Sequence, residues 1–125
     1  MKIAVFFAHF PIAYSTYAYY FVNTMARMVD SVDFYLYEAG DHIPRFRENV
    51  TVINLSAVVI KKPARPKKDY YDFLPRETIE KLIQRAQEER YDYCIGIETL
   101  GLLYADIAAR VAGCPFAYHN LEMYS

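Results

Sequence analysis

Two patterns of hydrophobic positions alternate along this chain. Short, continuous apolar runs are typical of strands that are buried on both faces of a parallel sheet. The first such run, KIAVFF, covers residues 2–7. It is followed by apolar residues at helical spacing, which form one stripe: Ala18, Phe21, Val22, Met25, Ala26 and Val29. The pattern predicts a buried strand and then a helix, which Ser15 or Thr16 is placed to cap.

The same alternation continues to the end of the chain. Four more strands are predicted, at residues 32–37, 50–55, 91–97 and 115–119. A second helix is predicted to begin at Pro75, and a third to cover residues 100–113 and to end at Gly113. The order β-α-β-β-α-β-α-β indicates a mostly parallel sheet with helices on both faces. We therefore predict a Rossmann-like three-layer α/β domain over residues 1–125.

The composition indicates an ordered domain and argues against some classes of binding partner. A chain of 125 residues with 54% hydrophobic content supports one compact, ordered domain, and a net charge of −1 gives no overall attraction to nucleic acid. The thirteen tyrosines, with eight Phe and no Trp, suit half-exposed interfaces and sugar-binding clefts, although ordinary core and rim positions account for most of them. Cys94 and Cys114 are predicted to be free, buried thiols in a reducing compartment. The N-terminal sequence favours a cytoplasmic location and leaves peripheral membrane attachment open.

Polar residues follow three of the predicted strands. In open α/β sheets, ligands bind beyond the carboxyl ends of the strands, where the strand order reverses. We expect the first, fourth and fifth strands to be neighbours, so that residues at their carboxyl ends share one rim. These residues are His9 and Pro11, then Glu98 and Thr99, then His119, Asn120 and Glu122. Hydrogen-bonded structural histidines, and a solvated carboxylate at Glu122, are the alternative interpretation.

Several well-known chemistries lack their motifs. The first βα turn, AHFPIAYST, contains no glycine, which excludes both GxGxxG and a P-loop at this turn. There is no GxSxG, no HExxH and no Cys/His group with zinc spacing. We therefore predict neither a metal site nor a tightly held dinucleotide cofactor.

One segment is strongly basic. KKPARPKKDYYDF, residues 61–73, contains five basic residues and two prolines. Such a segment is either a solvated loop or a mobile flap that attracts an anionic acceptor or a lipid headgroup.

The last thirty-five residues resemble a known family. Matching features are Tyr91-Asp92-Tyr93, Glu98, an alanine-rich helix ending in Gly113-Cys114-Pro115, Tyr118-His119, and Leu121-Glu122-Met123-Tyr124. The opening KIAVFFAHFP is similar to the family's first strand. Together these resemble the N-terminal, acceptor-side domain of GT-B glycosyltransferases, especially the glycosyltransferase family 4-like group.

The resemblance implies a function and roles for the rim residues. Residues 1–125 would be half of a GT-B fold, inactive alone, with the C-terminal nucleotide-sugar domain absent. The complete enzyme would transfer a sugar from a nucleotide-sugar to an acceptor without a metal. His119 would be catalytic, and His9 and Glu98 would orient the acceptor hydroxyl. The remaining rim residues would bind substrate: Pro11, Thr99, Asn120 and Glu122.

Two other interpretations stay open. One is half of a GT-B-fold sugar-nucleotide epimerase, and the other is a non-catalytic, flavodoxin-like binding module. An acceptor-side fragment would leave the edge of the fifth strand exposed and would tend to self-associate, whereas a complete module would be monomeric.

Overall fold

The computed structural model of the chain describes residues 1–8, 16–36, 44–55 and 74–119. Strands and helices alternate in it, as the sequence predicts. In chain order the elements are β1 (Lys2–Phe7), α1 (Thr16–Ala26), β2 (Ser31–Leu36), β3 (Val50–Asn54), α2 (Arg76–Glu89), β4 (Tyr93–Ile97), α3 (Glu98–Ala112) and β5 (Phe116–His119).

All five strands form one parallel sheet with the order β3-β2-β1-β4-β5. The chain moves outward from β1 through β2 to β3, and then crosses back to place β4 on the other side of β1. The strand order therefore reverses between β1 and β4, and this is where open α/β sheets bind ligands. The predicted fold class and the predicted neighbours, β1 beside β4 and β5 beside β4, are confirmed.

Helices cover both faces of the sheet. Because side chains alternate along a strand, Ile3, Val5 and Phe7 of β1 pack with α1 on one face. Ala4 and Phe6 pack on the other face with α2 and α3. All five of these residues are buried, which explains why β1 has an unbroken apolar sequence.

Three boundaries differ from the sequence prediction by two or more residues. Helix α1 ends at Ala26, because the side-chain amide of Asn49 donates to the carbonyls of Ala26 and Val29 and so caps the helix end. Strand β4 begins at Tyr93 rather than Tyr91. Helix α3 begins at Glu98, directly after the strand, instead of at residue 100. Its predicted end is confirmed by Gly113, which takes the left-handed conformation at the C-cap.

The first turn of α3 lies unusually close to the sheet. A Cβ atom at Gly101 would be 2.4 Å from the carbonyl oxygen of Phe6 in β1. A Cβ atom at Gly96 would be 2.5 Å from the Cα of Leu102. Both positions therefore require glycine, and together they bring the start of α3 against the point where the strand order reverses.

A buried polar network anchors α2 to the opposite end of the sheet. The Asp33 carboxylate, 5% exposed, accepts two hydrogen bonds from the Arg85 guanidinium at 2.9 and 3.2 Å. It also accepts one from the Tyr91 hydroxyl, and this hydroxyl in turn accepts one from Tyr35. Burial raises the pKa of both tyrosines, and the hydrogen bonds to Asp33 raise the pKa of Arg85. The charged pair is thus supported by neutral donors, as a buried ion pair requires.

No helix in the described ranges has the length and apolar character needed to cross a membrane.

The close approach at Gly101 makes a stability prediction. Gly101→Ala should lower the free energy of unfolding by about 3 kcal/mol or more, because the added methyl meets backbone rather than a flexible side chain. Gly113→Ala is the matched control: its Cβ meets nothing within 4 Å, and only its positive φ costs energy, about 1–2 kcal/mol. Urea unfolding measures both. An equal or smaller effect at Gly101 would refute the close packing.

The buried tyrosines predict a dependence on alkaline pH. Below about pH 10 both phenols are protonated in the folded and unfolded chains, so they add no pH dependence. Above about pH 10 the unfolded chain loses these protons while the folded chain keeps them, so stability falls as pH rises. Each phenol should contribute a slope of about 1.4 kcal/mol per pH unit.

Tyr35→Phe and Tyr91→Phe should each remove one such contribution, as measured by urea unfolding between neutral and alkaline pH. Tyr20→Phe, at a position 63% exposed, is the control and should leave the slope unchanged. If the wild type and all three variants had the same slope, the two buried phenols would not be the source of the pH dependence.

Candidate functional site

The carboxyl ends of three strands lie side by side. Ile97, the last residue of β4, is in register with Phe7 of β1 on one side and with His119 of β5 on the other. Glu98 and His119 therefore share one rim, as predicted from the sequence. The other predicted rim residues lie outside the described residues: His9, Pro11, Asn120 and Glu122. Ala8, which directly follows β1, is the last residue of the first described range and lies at the same rim.

His119 is held between β5 and α1. Its Nε2 atom is 2.7 Å from the Tyr17 hydroxyl. The imidazole ring is also nearly parallel to the rings of Tyr17 and Phe21, with 5.3 Å between centroids in both cases. Two aromatic residues of one helix thus fix both the position and the plane of the imidazole.

The Tyr17 contact limits what the imidazole can do. If Tyr17 donates to Nε2, the neutral ring carries its proton on Nδ1 and can donate from there. If Nε2 carries the proton, it donates to the Tyr17 oxygen, and Nδ1 becomes an acceptor. In both tautomers the ring keeps one oriented nitrogen for a ligand, which is the arrangement expected of a positioning group rather than of a freely rotating one.

Glu98 occupies the turn from β4 into α3. It has φ 62°, the left-handed conformation that non-glycine residues rarely adopt. The chain changes direction within this single residue, because Ile97 is the last residue of β4 and Glu98 is the first residue of α3. The residue is half-buried at the N-terminus of α3, which is the positive end of the helix dipole. Thr99 follows and is exposed.

The strain at Glu98 is informative. Backbone held in a sparsely populated region costs free energy and clusters at functional sites. Asn or Gly would fit the left-handed conformation more easily, yet the chain has a glutamate at this position. The presence of glutamate rather than glycine therefore makes this side chain a candidate for a role at the rim.

Sequence reasoning missed Tyr17 and Phe21 as part of the site. They lie one turn apart in the first half of α1, and their rings are 6.2 Å apart and nearly parallel. Phe21 was assigned only to the apolar stripe, and it does pack against the core on the α1 face. The missed signal was an i,i+4 aromatic pair in the helix that follows β1.

The two cysteines lie away from the rim. Cys94 is the second residue of β4 and Cys114 precedes β5, so both are at the amino-terminal edge of the sheet. They are free thiols with 3.8 Å between their sulfur atoms, and burial raises the pKa of Cys94. Cys94 is therefore unsuited to act as a thiolate nucleophile.

The described residues contain no group of three His, Cys, Asp or Glu side chains that could hold a metal ion. What the described rim offers is an imidazole, a phenol, a carboxylate and a hydroxyl. These groups form hydrogen bonds with polyhydroxylated or other polar ligands, and the aromatic rings beside them provide flat apolar surface.

Comparison with protein-family models, curated proteins and solved structures finds no match for this chain. Function is therefore inferred from the rim residues and from the sequence resemblance described above.

Strain at Glu98 can be tested through two substitutions that both remove the carboxylate. Glu98→Gly should be more stable than Glu98→Ala by about 1 kcal/mol, because glycine accepts positive φ without a steric penalty. At the neighbouring helical position the order should reverse, with Thr99→Gly about 1 kcal/mol less stable than Thr99→Ala. Urea unfolding of the four variants gives the comparison. If Glu98→Ala were as stable as Glu98→Gly, the turn at this residue would be unstrained.

Proposed function

We propose that this chain is the acceptor-side domain of a glycosyltransferase that transfers a sugar from a nucleotide-sugar to an acceptor. The observation that carries the proposal is the pairing of His119 with Tyr17 on the rim where Glu98 forms the strained turn out of β4. The sequence resemblance to family 4-like glycosyltransferases points to the same function and includes Glu98 and His119 among its matching residues.

The chemistry of the rim fits a sugar acceptor. Tyr17 is 51% exposed, so the exposed part of its side chain can contact the C–H face of a pyranose, while the imidazole and the carboxylate bind hydroxyls. A sugar ring is amphipathic in this way, with an apolar face and a polar edge. Alternating aromatic and hydrogen-bonding groups are therefore the expected complement.

In the proposed enzyme, His119 contributes by positioning and by electrostatics. An imidazole fixed by Tyr17 and Phe21 presents its remaining nitrogen in one direction. It can therefore hydrogen-bond a sugar hydroxyl, or the developing charge at the reacting centre, without reorganising. Glu98 orients the attacking hydroxyl of the acceptor. The nucleotide-sugar is gripped mainly by a second lobe that faces the rim, and this lobe supplies the groups that neutralise the diphosphate.

Acceptor binding can be tested on the chain itself. Saturation-transfer NMR with a panel of methyl glycosides should detect at least one that binds. Tyr17→Phe should weaken binding about tenfold by releasing the imidazole from its hydrogen bond, and Tyr20→Phe, one turn along the same helix, is the matched control. The rim is not an acceptor site if no glycoside binds, or if Tyr17→Phe binds the glycoside as tightly as the wild type does.

Turnover tests the catalytic role. In an enzyme that combines this chain with the nucleotide-sugar-binding lobe, His119→Ala should lower kcat at least about tenfold, because a fixed group near the transition state is lost. His119→Gln, which keeps a hydrogen-bonding group, should retain more activity than His119→Ala. Unchanged turnover in His119→Ala would remove this residue from the mechanism.

A further inference from the structure

A second recess lies on the outer side of α1, apart from the His119 rim. It is an open groove of about 400 Å³ between the helix and the segment 44–49. Among its lining residues are three arginines and three aromatic residues, namely Arg27, Arg45, Arg47, Tyr19, Tyr20 and Phe46. Among the described residues that line this groove, none carries a carboxylate.

The arginine-bearing segment is fastened to the helix through its backbone. The Tyr19 hydroxyl donates to the carbonyl of Arg45 at 3.0 Å. The backbone N–H of Arg47 donates to the side-chain oxygen of Asn23, also at 3.0 Å. Since both contacts use main-chain atoms of the arginines, they leave the two guanidinium groups available.

Phe46 anchors the same segment in the core. Its ring packs edge-on against Phe34 of β2, with 5.4 Å between centroids, and lies 5.2 Å from the ring of Tyr19. Phe46 is half-buried, while Arg45 and Arg47 on either side of it are exposed. The inward aromatic residue therefore presents both flanking arginines on the outside, with little conformational freedom left in the backbone between them.

The three guanidinium groups have no anionic partner in the described part of the chain. Arg27, Arg45 and Arg47 are absent from all six ion pairs formed there. Glu48 lines an adjoining recess together with Arg27 and Arg47 but forms no ion pair with either of them. Three like charges beside one groove repel one another, and an anion bound between them relieves that repulsion.

From this geometry we infer a second ligand site: the groove binds a phosphate monoester whose organic group is flat and apolar. Guanidinium groups match the oxygen geometry of phosphate and bind it through paired hydrogen bonds. Tyr20, 63% exposed at the edge of the groove, provides a ring face for the organic group. This site is independent of the proposed glycosyltransferase function, because none of the residues that line it belongs to the His119 rim.

The test uses two soluble probes, inorganic phosphate and phenyl phosphate, titrated at low ionic strength and followed by NMR. We expect both to bind, and phenyl phosphate to bind more tightly. The double variant Arg45→Gln/Arg47→Gln should weaken binding at least about tenfold. Its matched control, Arg76→Gln/Arg90→Gln, removes the same charge from exposed positions on and just after α2 and should stay within about twofold. Tyr20→Ala should abolish the advantage of phenyl phosphate over inorganic phosphate.

A vesicle arm identifies the source of the phosphate. Sedimentation with phosphatidylcholine vesicles containing phosphatidic acid, lost in Arg45→Gln/Arg47→Gln and competed by phenyl phosphate, would identify a lipid headgroup as the source. Binding of the soluble ester without vesicle binding would identify a soluble metabolite. Either result supports phosphate binding in the groove, and the Tyr20→Ala comparison tests whether a flat organic group is preferred. The inference is overturned if neither probe binds the wild-type chain saturably, or if the two double variants lose binding equally.

Discussion

The structure depends on how closely the first turn of α3 approaches the sheet. Gly101 lies against the carbonyl of Phe6, and Gly96 lies against the backbone at Leu102, at distances that leave no space for a Cβ atom. This contact sits where the strand order reverses between β1 and β4. It sets the start of α3, and through α3 it sets the position of β5. The close packing of α3 against the sheet therefore positions both described polar residues of the rim, Glu98 and His119.

That contact also explains the strained glutamate. A helix that begins so close to the strand leaves no residues for a connecting loop, so the chain must turn within Glu98, which takes a positive φ. The carboxylate is delivered to the rim at the start of α3. His119 reaches the same rim from β5, and α1 supplies the hydroxyl and the rings that hold it. The site is thus built from α3, β5 and α1, and none of these elements forms it alone.

Much of the fold could be predicted from the sequence, because its determinants are local. The unbroken apolar run of β1 and the glycine after α3 depend on rules that act within a few residues. The early start of α3 could not be predicted, because it depends on Gly101 meeting Phe6, about a hundred positions away in the sequence. The partnership between Tyr17 and His119 was missed for the same reason. The shared rim of Glu98 and His119 could be predicted because strand order alone determines it.

We propose that the ends of β4 and β5, together with the start of α1, form a single sugar-binding surface. Backbone amide shifts, mapped by NMR while a methyl glycoside that binds is titrated, show whether these three elements act as one surface. The largest shifts should occur together at Tyr17, Glu98, Thr99 and His119, with one common dissociation constant. Shifts confined to the other end of the sheet, around Asp33 and Arg85, would contradict it.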